Sequence, residues 1–195
     1  MNNANDVKNV SAGKPKVGGA IRVAPLGTKL PTDATSELDK AFNNLGYVSD
    51  DGLTNEDSVE SEEIKAWGGD TVMVVQTNKT DRFNFTLIES INIEALKFVY
   101  GPENVEGTLD TVIKVQSNAS ELPIRSMVID MILNGGVLKR IVIPHAKIAE
   151  KGEINYVDNE ATGFPLTIQG IPDEQGNTHY DYIQKNSSEQ SGLEG

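Results

Sequence analysis

Apolar positions along this chain recur mostly at every second residue, the period of a strand with one face buried. Phe83, Phe85 and Leu87 alternate with Asn84 and Thr86, and residues 71–77 and 111–116 read as further strands. Residues 125–133 and 137–143 are apolar, branched runs joined by Asn134-Gly135-Gly136, a hairpin signal because Asn and Gly tolerate positive φ. Residues 147–157, 164–170 and 178–184 predict three more strands, the last preceded by a Pro172-Asp173-Glu174-Gln175-Gly176-Asn177 turn. Two stretches keep a helical period instead. Leu38, Ala41, Phe42 and Leu45 fall at i, i+3, i+4 and i+7, predicting a short amphipathic helix with Ser36 and Asp39 as its capping signal and Gly46 as its stop. Residues 91–100 predict a second, with Ile91, Ala95 and Phe98 on one face and Gly101-Pro102 closing it. The expected fold is mainly β (α+β): a sandwich or barrel of short strands with one or two short flanking helices, an extended loop and terminal arms.

Charge sharpens the division of the chain. The formal net charge is −12, but residues 1–32 carry +4, residues 33–70 carry −9, residues 71–149 balance, and residues 150–195 carry −7. Residues 1–24, rich in Asn, Gly, Lys and Pro, predict an arm that orders only on contact. Residues 25–184 form the expected domain, and the polar residues 185–195 a disordered tail. Between Asp50 and Glu63 seven acids occur without a base, so residues 50–69 are expected to be a solvated loop or a long hairpin tip. A basic arm ahead of an acidic belt is compatible with head-to-tail pairing between copies; a charged face that merely keeps the protein soluble is the plain alternative. Too few bases cluster to expect tight DNA binding.

Chemistry finds little purchase. With no cysteine and two histidines, a disulfide, a thiolate site or an ordinary zinc site is not expected. His145 and His179 read as strand-end residues, no serine sits in a G-x-S-x-G elbow, and the glycine pairs lack a P-loop continuation. The acidic run lacks the spacing of a calcium loop. No enzyme activity, metal or cofactor is expected. No apolar run reaches the roughly 18 residues of a membrane span, and the polar N-terminus lacks a signal-peptide core, so a soluble protein made in the cytoplasm is expected. Trp67, beyond the acidic run and beside Gly68-Gly69, is either a core anchor or an interface anchor. The candidate subunit or ring-stacking contacts are Lys14, Lys16, Asp51, Glu56, Asp57, Glu60, Glu62, Glu63 and Trp67.

The run APLGTKLPTDATSELDKAFNNLGYVSDDGL, residues 24–53, closely resembles the major tail proteins of long, non-contractile-tailed bacteriophages. The likeness extends through Gly68-Gly69-Asp70-Thr71-Val72, the strand from Phe83 to Glu89, the helical stretch 91–100 and the Gly170 to Asn177 turn. It implies a β-sandwich that forms sixfold rings, stacked into a hollow tube whose lumen is a continuous barrel of strands from neighbouring copies. It further implies a tape measure protein inside the growing tube, tail terminator and distal tail or baseplate proteins at its ends, transient non-specific passage of DNA, and no membrane insertion. The protein is then a virion component assembled in the host bacterial cytoplasm. In that pattern residues 50–69 take the place of a loop reaching adjacent subunits or rings, and residues 1–24 that of an arm. A secreted or surface β-sandwich adhesion module has a similar composition but ordinarily carries a secretion signal or anchor. A small enzyme on a β-barrel requires a nucleophile, base and orienting group together.

Overall fold

The computed structural model describes residues 5–186. The strands are β1 (Lys14–Pro15), β2 (Ile21–Pro25), β3 (Asn43–Asn44), β4 (Val48–Lys65), β5 (Thr71–Leu87), β6 (Val105–Glu106), β7 (Lys114–Val115), β8 (Arg125–Ile132), β9 (Val137–Lys151), β10 (Phe164–Ile171) and β11 (Tyr180–Lys185). One α-helix, α1 (Ile93–Tyr100), lies among the described residues. Nine strands make one antiparallel sheet ordered β3-β2-β8-β9-β10-β5-β4, with β1 added to β8 and β11 to β9; β6 and β7 pair separately.

The sheet curls. β3 and β4 stand at opposite ends of the strand order, yet only Leu45, Gly46 and Tyr47 separate them. Four residue steps span at most about 14 Å, so the two ends of the sheet must approach each other there. The chain stitches that seam: Leu45 N–H donates to Ile21 O of β2, and Ile88 N–H, just past β5, donates to Tyr47 O. Glu89 reinforces it by accepting from Tyr47 N–H at 3.0 Å and from the Asn92 amide at 2.8 Å. Gly46, at φ 86, passes so close to the Glu89 carboxylate that no side chain fits. The result is one antiparallel sheet curled into an open barrel, with no ladder between β3 and β4 among the described residues.

Alternation decides what goes inside. Ile21, Val23, Phe83, Phe85, Leu87, Met127, Ile129, Ile141, Ile143, Leu166 and Ile168 fill the core, where α1 adds Ala95, Leu96, Phe98 and Val99. α1 starts two residues later than its sequence pattern suggests, because Asn92 accepts from Glu94 and Ala95 N–H and caps it there. Ile91 is left outside the helix and exposed. On the opposite face of the sheet, Ala24, Phe42, Val128 and Val142 form a second cluster with Leu30, Leu38, Ala41, Tyr180 and Tyr182. The β8–β9 hairpin turns at Asn134-Gly135-Gly136 as expected, with both glycines at φ 71.

Four expectations need correction. No helix forms over residues 36–46. Asp39 accepts from Ala41 N–H, a donor that a helix there gives to Glu37 O. The carbonyls of Asp33 and Ser36 go to the Arg140 guanidinium. Phe42 and Leu45 also bury on opposite faces of the sheet, which a single helical stripe does not do. The boundary of the N-terminal arm moves too: Ile21, Val23 and Ala24, assigned to it, are core residues on β2. Residues 111–116 contribute only the exposed pair β7, and the strand expected over 147–157 ends at Lys151, where β10 stops pairing with it. Residues 1–4 of the expected arm and 187–195 of the expected tail lie outside the described residues.

Candidate assembly surface

The acidic segment folds as a paired hairpin rather than a loop. β5 pairs with β10 only as far as Arg82 opposite Gln169; beyond that, β4 and β5 pair only with each other. From Asp81 to Thr71, ten residue steps at about 3.4 Å carry this arm about 34 Å from the barrel. It turns through Ala66 to Asp70, with Ala66 N–H donating to Asp70 O at 2.8 Å and Gly69 N–H to Ala66 O at 3.0 Å. Gly68 and Gly69 sit at φ 114 and 100, which L side chains resist. Trp67 stands fully exposed at this tip, which excludes its reading as a core anchor.

The two strands of the arm divide their chemistry. β4 carries Glu56, Asp57, Glu60, Glu62 and Glu63, and among the described residues no strand lies beside its outer edge. β5 carries Val72, Met73, Val74 and Val75, all exposed. The register places Glu62 and Ile64 opposite Val75 and Met73, and Ser61 and Glu63 opposite Gln76 and Val74. Each face of the arm therefore mixes acids with uncovered apolar side chains. Residues 53–79 hold six acids and two bases, net −4. Local pairs engage some of them: Lys79 lies 3.5 Å from Asp57, Lys65 lies 3.7 Å from Glu63, and Thr71 Oγ1 donates to Glu63 at 3.0 Å. Among the described residues no group of three or more His, Asp or Glu is placed to hold a metal ion.

Of the residues singled out in sequence, Glu56, Asp57, Glu60, Glu62, Glu63 and Trp67 share this arm. Asp51 sits at its base, where residues 49–52 bulge out between Val48 opposite Leu87 and Leu53 opposite Phe85. The two lysines lie elsewhere. Lys14 pairs with Ile132 on β1, with β9, β10 and β5 intervening between β8 and β4. Lys16 already reaches a carboxylate of its own chain, Asp130 Oδ2, at 3.7 Å.

That carboxylate belongs to a buried ion pair that sequence reasoning missed. Asp130 and Arg140 face each other across β8 and β9, with Nε–Oδ1 at 2.7 Å and Nη2–Oδ2 at 3.1 Å. Arg140 Nη1 donates to Asp33 O at 3.1 Å and Ser36 O at 2.9 Å, pinning residues 33–36 to the sheet. A second missed group stands at the root of the arm: buried Asp81 accepts from Asn55 Nδ2 at 2.8 Å and lies 2.6 Å from His179 Nδ1. Asp81 and His179 have no local sequence signature, being 98 residues apart; Asp130 and Arg140 are only ten apart, and opposite charges on the two sides of the Asn134-Gly135-Gly136 turn are the signal that could have found them.

The phage tail tube protein family model matches residues 4–192, nearly the whole chain. No curated protein matches. Among solved structures, the tube-terminating cap of the anti-feeding prophage aligns over 91% of this chain and 96% of its own, at 10% identity and a TM-score of 0.42, a likeness too distant to argue from.

Proposed function

The chain belongs to the phage tail tube protein family, and on that premise we propose that it polymerises as stacked hexameric rings into the hollow tube of a long, non-contractile tail, which conducts DNA into the host. The observation that supports this reading is the β4–β5 arm. Among the described residues nothing covers Ile64, Trp67 and Val72 to Val75, and no strand closes the outer edge of β4. Uncovered apolar surface favours association by about 25 cal/mol per Å² removed from water, and an open strand edge invites a partner. A contact between an arm and a different patch on the next copy is heterologous, so it closes into a ring or propagates as a filament.

In this reading the acids of the arm and Trp67 meet a neighbouring subunit or ring. A tape measure protein occupies the lumen during assembly, and terminator and distal tail or baseplate proteins cap the ends. An acidic inner wall repels DNA, which carries one charge per about 1.7 Å of axis, and so lets it slide. Negative-stain imaging and light scattering over a concentration series test the proposal. Hollow tubes are expected from the full chain, and folded monomers when residues 60–78 are replaced by a short Asn-Gly turn joining the paired Val59 and Lys79. A full chain that stays monomeric at high concentration in every salt refutes it.

A further inference from the structure

The root of the arm holds a charge cluster that neither the core nor the tube reading employs. Asp81 is fully buried where β5 passes from barrel to arm, and the register sets Asp57 of β4 directly opposite it. Like charges opposite each other across a strand pair repel, and burying a carboxylate is costly unless it is paired and hydrogen-bonded. The counter-charge comes from a third segment. His179, just ahead of β11, places Nδ1 2.6 Å from Asp81 Oδ2, and its ring stands edge-on to Phe83 with centroids 5.4 Å apart. Asn55 of β4 donates Nδ2–H to the other Asp81 oxygen at 2.8 Å and to Arg82 O at 3.2 Å. Gly170 of β10 leaves the space, since a Cβ there stands 3.3 Å from Asp81 Oδ2 and from Thr178. Both strands of the arm and the β10–β11 connection thus converge on one carboxylate.

We propose that Asp81, His179 and Asn55 form a protonation-sensitive clasp that fixes the direction in which the arm leaves the barrel, tight while His179 is charged and looser when it is neutral. The proposal goes beyond the tube reading, because it concerns the free chain. The other charges around it are accounted for. Asp57 is shared with Lys79 at 3.5 Å. Asp181 of β11 is held by Lys139 of β9 at 2.7 Å. Arg82 turns to Gln169 at 3.3 Å and Glu150 at 4.0 Å. The hydrogen bond to Asp81 raises the His179 pKa, burial opposes it, and the charges of Asp81, Asp181 and Asp57 add to the rise. Burial pushes Asp81 up, but hydrogen bonds from His179, Thr178 and Asn55 outweigh it and hold the carboxyl below its usual range. The His179 contribution is therefore fully present below 6.5, its ordinary value, and is lost as pH rises through the raised midpoint. At the acid end the Asp81 contribution is lost as pH falls through its depressed midpoint.

The test is an NMR titration of His179 in the dilute, unassembled full chain, with amide exchange at residues 54–58 and 79–82 between about pH 6 and 9. The expected result is a His179 midpoint above 6.5. Arm-root protection factors, corrected for intrinsic exchange, should fall about tenfold as pH rises through that midpoint, the size expected when a charge-assisted hydrogen bond becomes a neutral one. Amides of β8 and β9 should not change. In His179→Gln the arm-root protection should be flat over the same range. A wild-type midpoint at or below 6.5, or flat wild-type protection across it, overturns the clasp, and neither measurement depends on a variant folding. Tubes with flat protection would remove the clasp and leave the tube reading; a permanently monomeric chain with the tenfold change would do the reverse.

Discussion

Replacing Arg140 with alanine removes the cation in bidentate contact with Asp130. Asp130 remains buried, with only Lys16 at 3.7 Å, too far for a hydrogen bond and nearly half exposed itself. The carbonyls of Asp33 and Ser36 lose their donor at the same time. Breaking a buried pair from one side costs about 3–5 kcal/mol, mostly as the penalty of the stranded charge. For a domain of this size each kcal/mol is worth about 2–4 °C, so the melting temperature should fall by roughly 6–20 °C. The mechanism makes a second, stricter demand. Arg140→Ala with Asp130→Ala strands no charge, so the double variant should be more stable than Arg140→Ala alone, giving a coupling energy of about 2–3 kcal/mol. Urea unfolding of the wild type, both single variants and the double variant measures this directly. Exchange at residues 33–42 should rise well before exchange in β5 and β10, because the guanidinium is what fastens that segment. A loss below about 1 kcal/mol in Arg140→Ala, or strict additivity in the double variant, would refute the reasoning.

Other expectations follow from the same geometry. Trp67→Ala combined with Val74→Ser should leave urea stability within about 0.5 kcal/mol of wild type, since both side chains are exposed, while abolishing the rise in light scattering with concentration. Phe83→Ala, in the centre of the barrel, should cost about 3–5 kcal/mol by the same unfolding assay. The Asp33 carboxyl, held down chiefly by the backbone N–H groups of Ser36 and Thr35, should titrate at about 2 by carbon-detected NMR. Its stabilisation is present above the ordinary 3.8 and fades as pH falls toward that midpoint, so Asp33→Asn should flatten the acid limb. Gly107, at φ 88 with its missing side chain pointing at Val112 O, should tolerate no alanine. Gly107→Ala should cost about 1–3 kcal/mol and raise exchange over residues 105–115 first.

Period-two burial is a local property, and it was legible wherever a strand has one wet face: Phe83, Phe85 and Leu87 read correctly from their spacing alone. The stripe Leu38, Ala41, Phe42, Leu45 was legible as buried but not as irregular. Its backbone is dictated by Arg140, about a hundred residues later, and by the need to cross from one face of the sheet to the other. Ile21 to Ala24 carry no legible signal, because five residues between polar neighbours are too few to show a period. At the arm, the charge run marked the place while cross-strand pairing decided the form, since Glu62 and Glu63 tolerate their density by facing alternate sides opposite Val75 and Val74. His179 could not have been found from its neighbours in sequence, as its partner is 98 residues away.

β4 is 18 residues long, and its open edge is a template on which free copies could stick side by side in the wrong way. Its carboxylates act as a safety catch against that. Two arms that meet edge to edge bring their acids together without enough bases to answer them, whereas in the proposed tube the neighbour presents a different surface. The catch depends on reach: the screening length is about 10 Å in 0.1 M salt and about 3 Å at 1 M. The restraint is therefore strong in a dilute electrolyte and weak in concentrated salt.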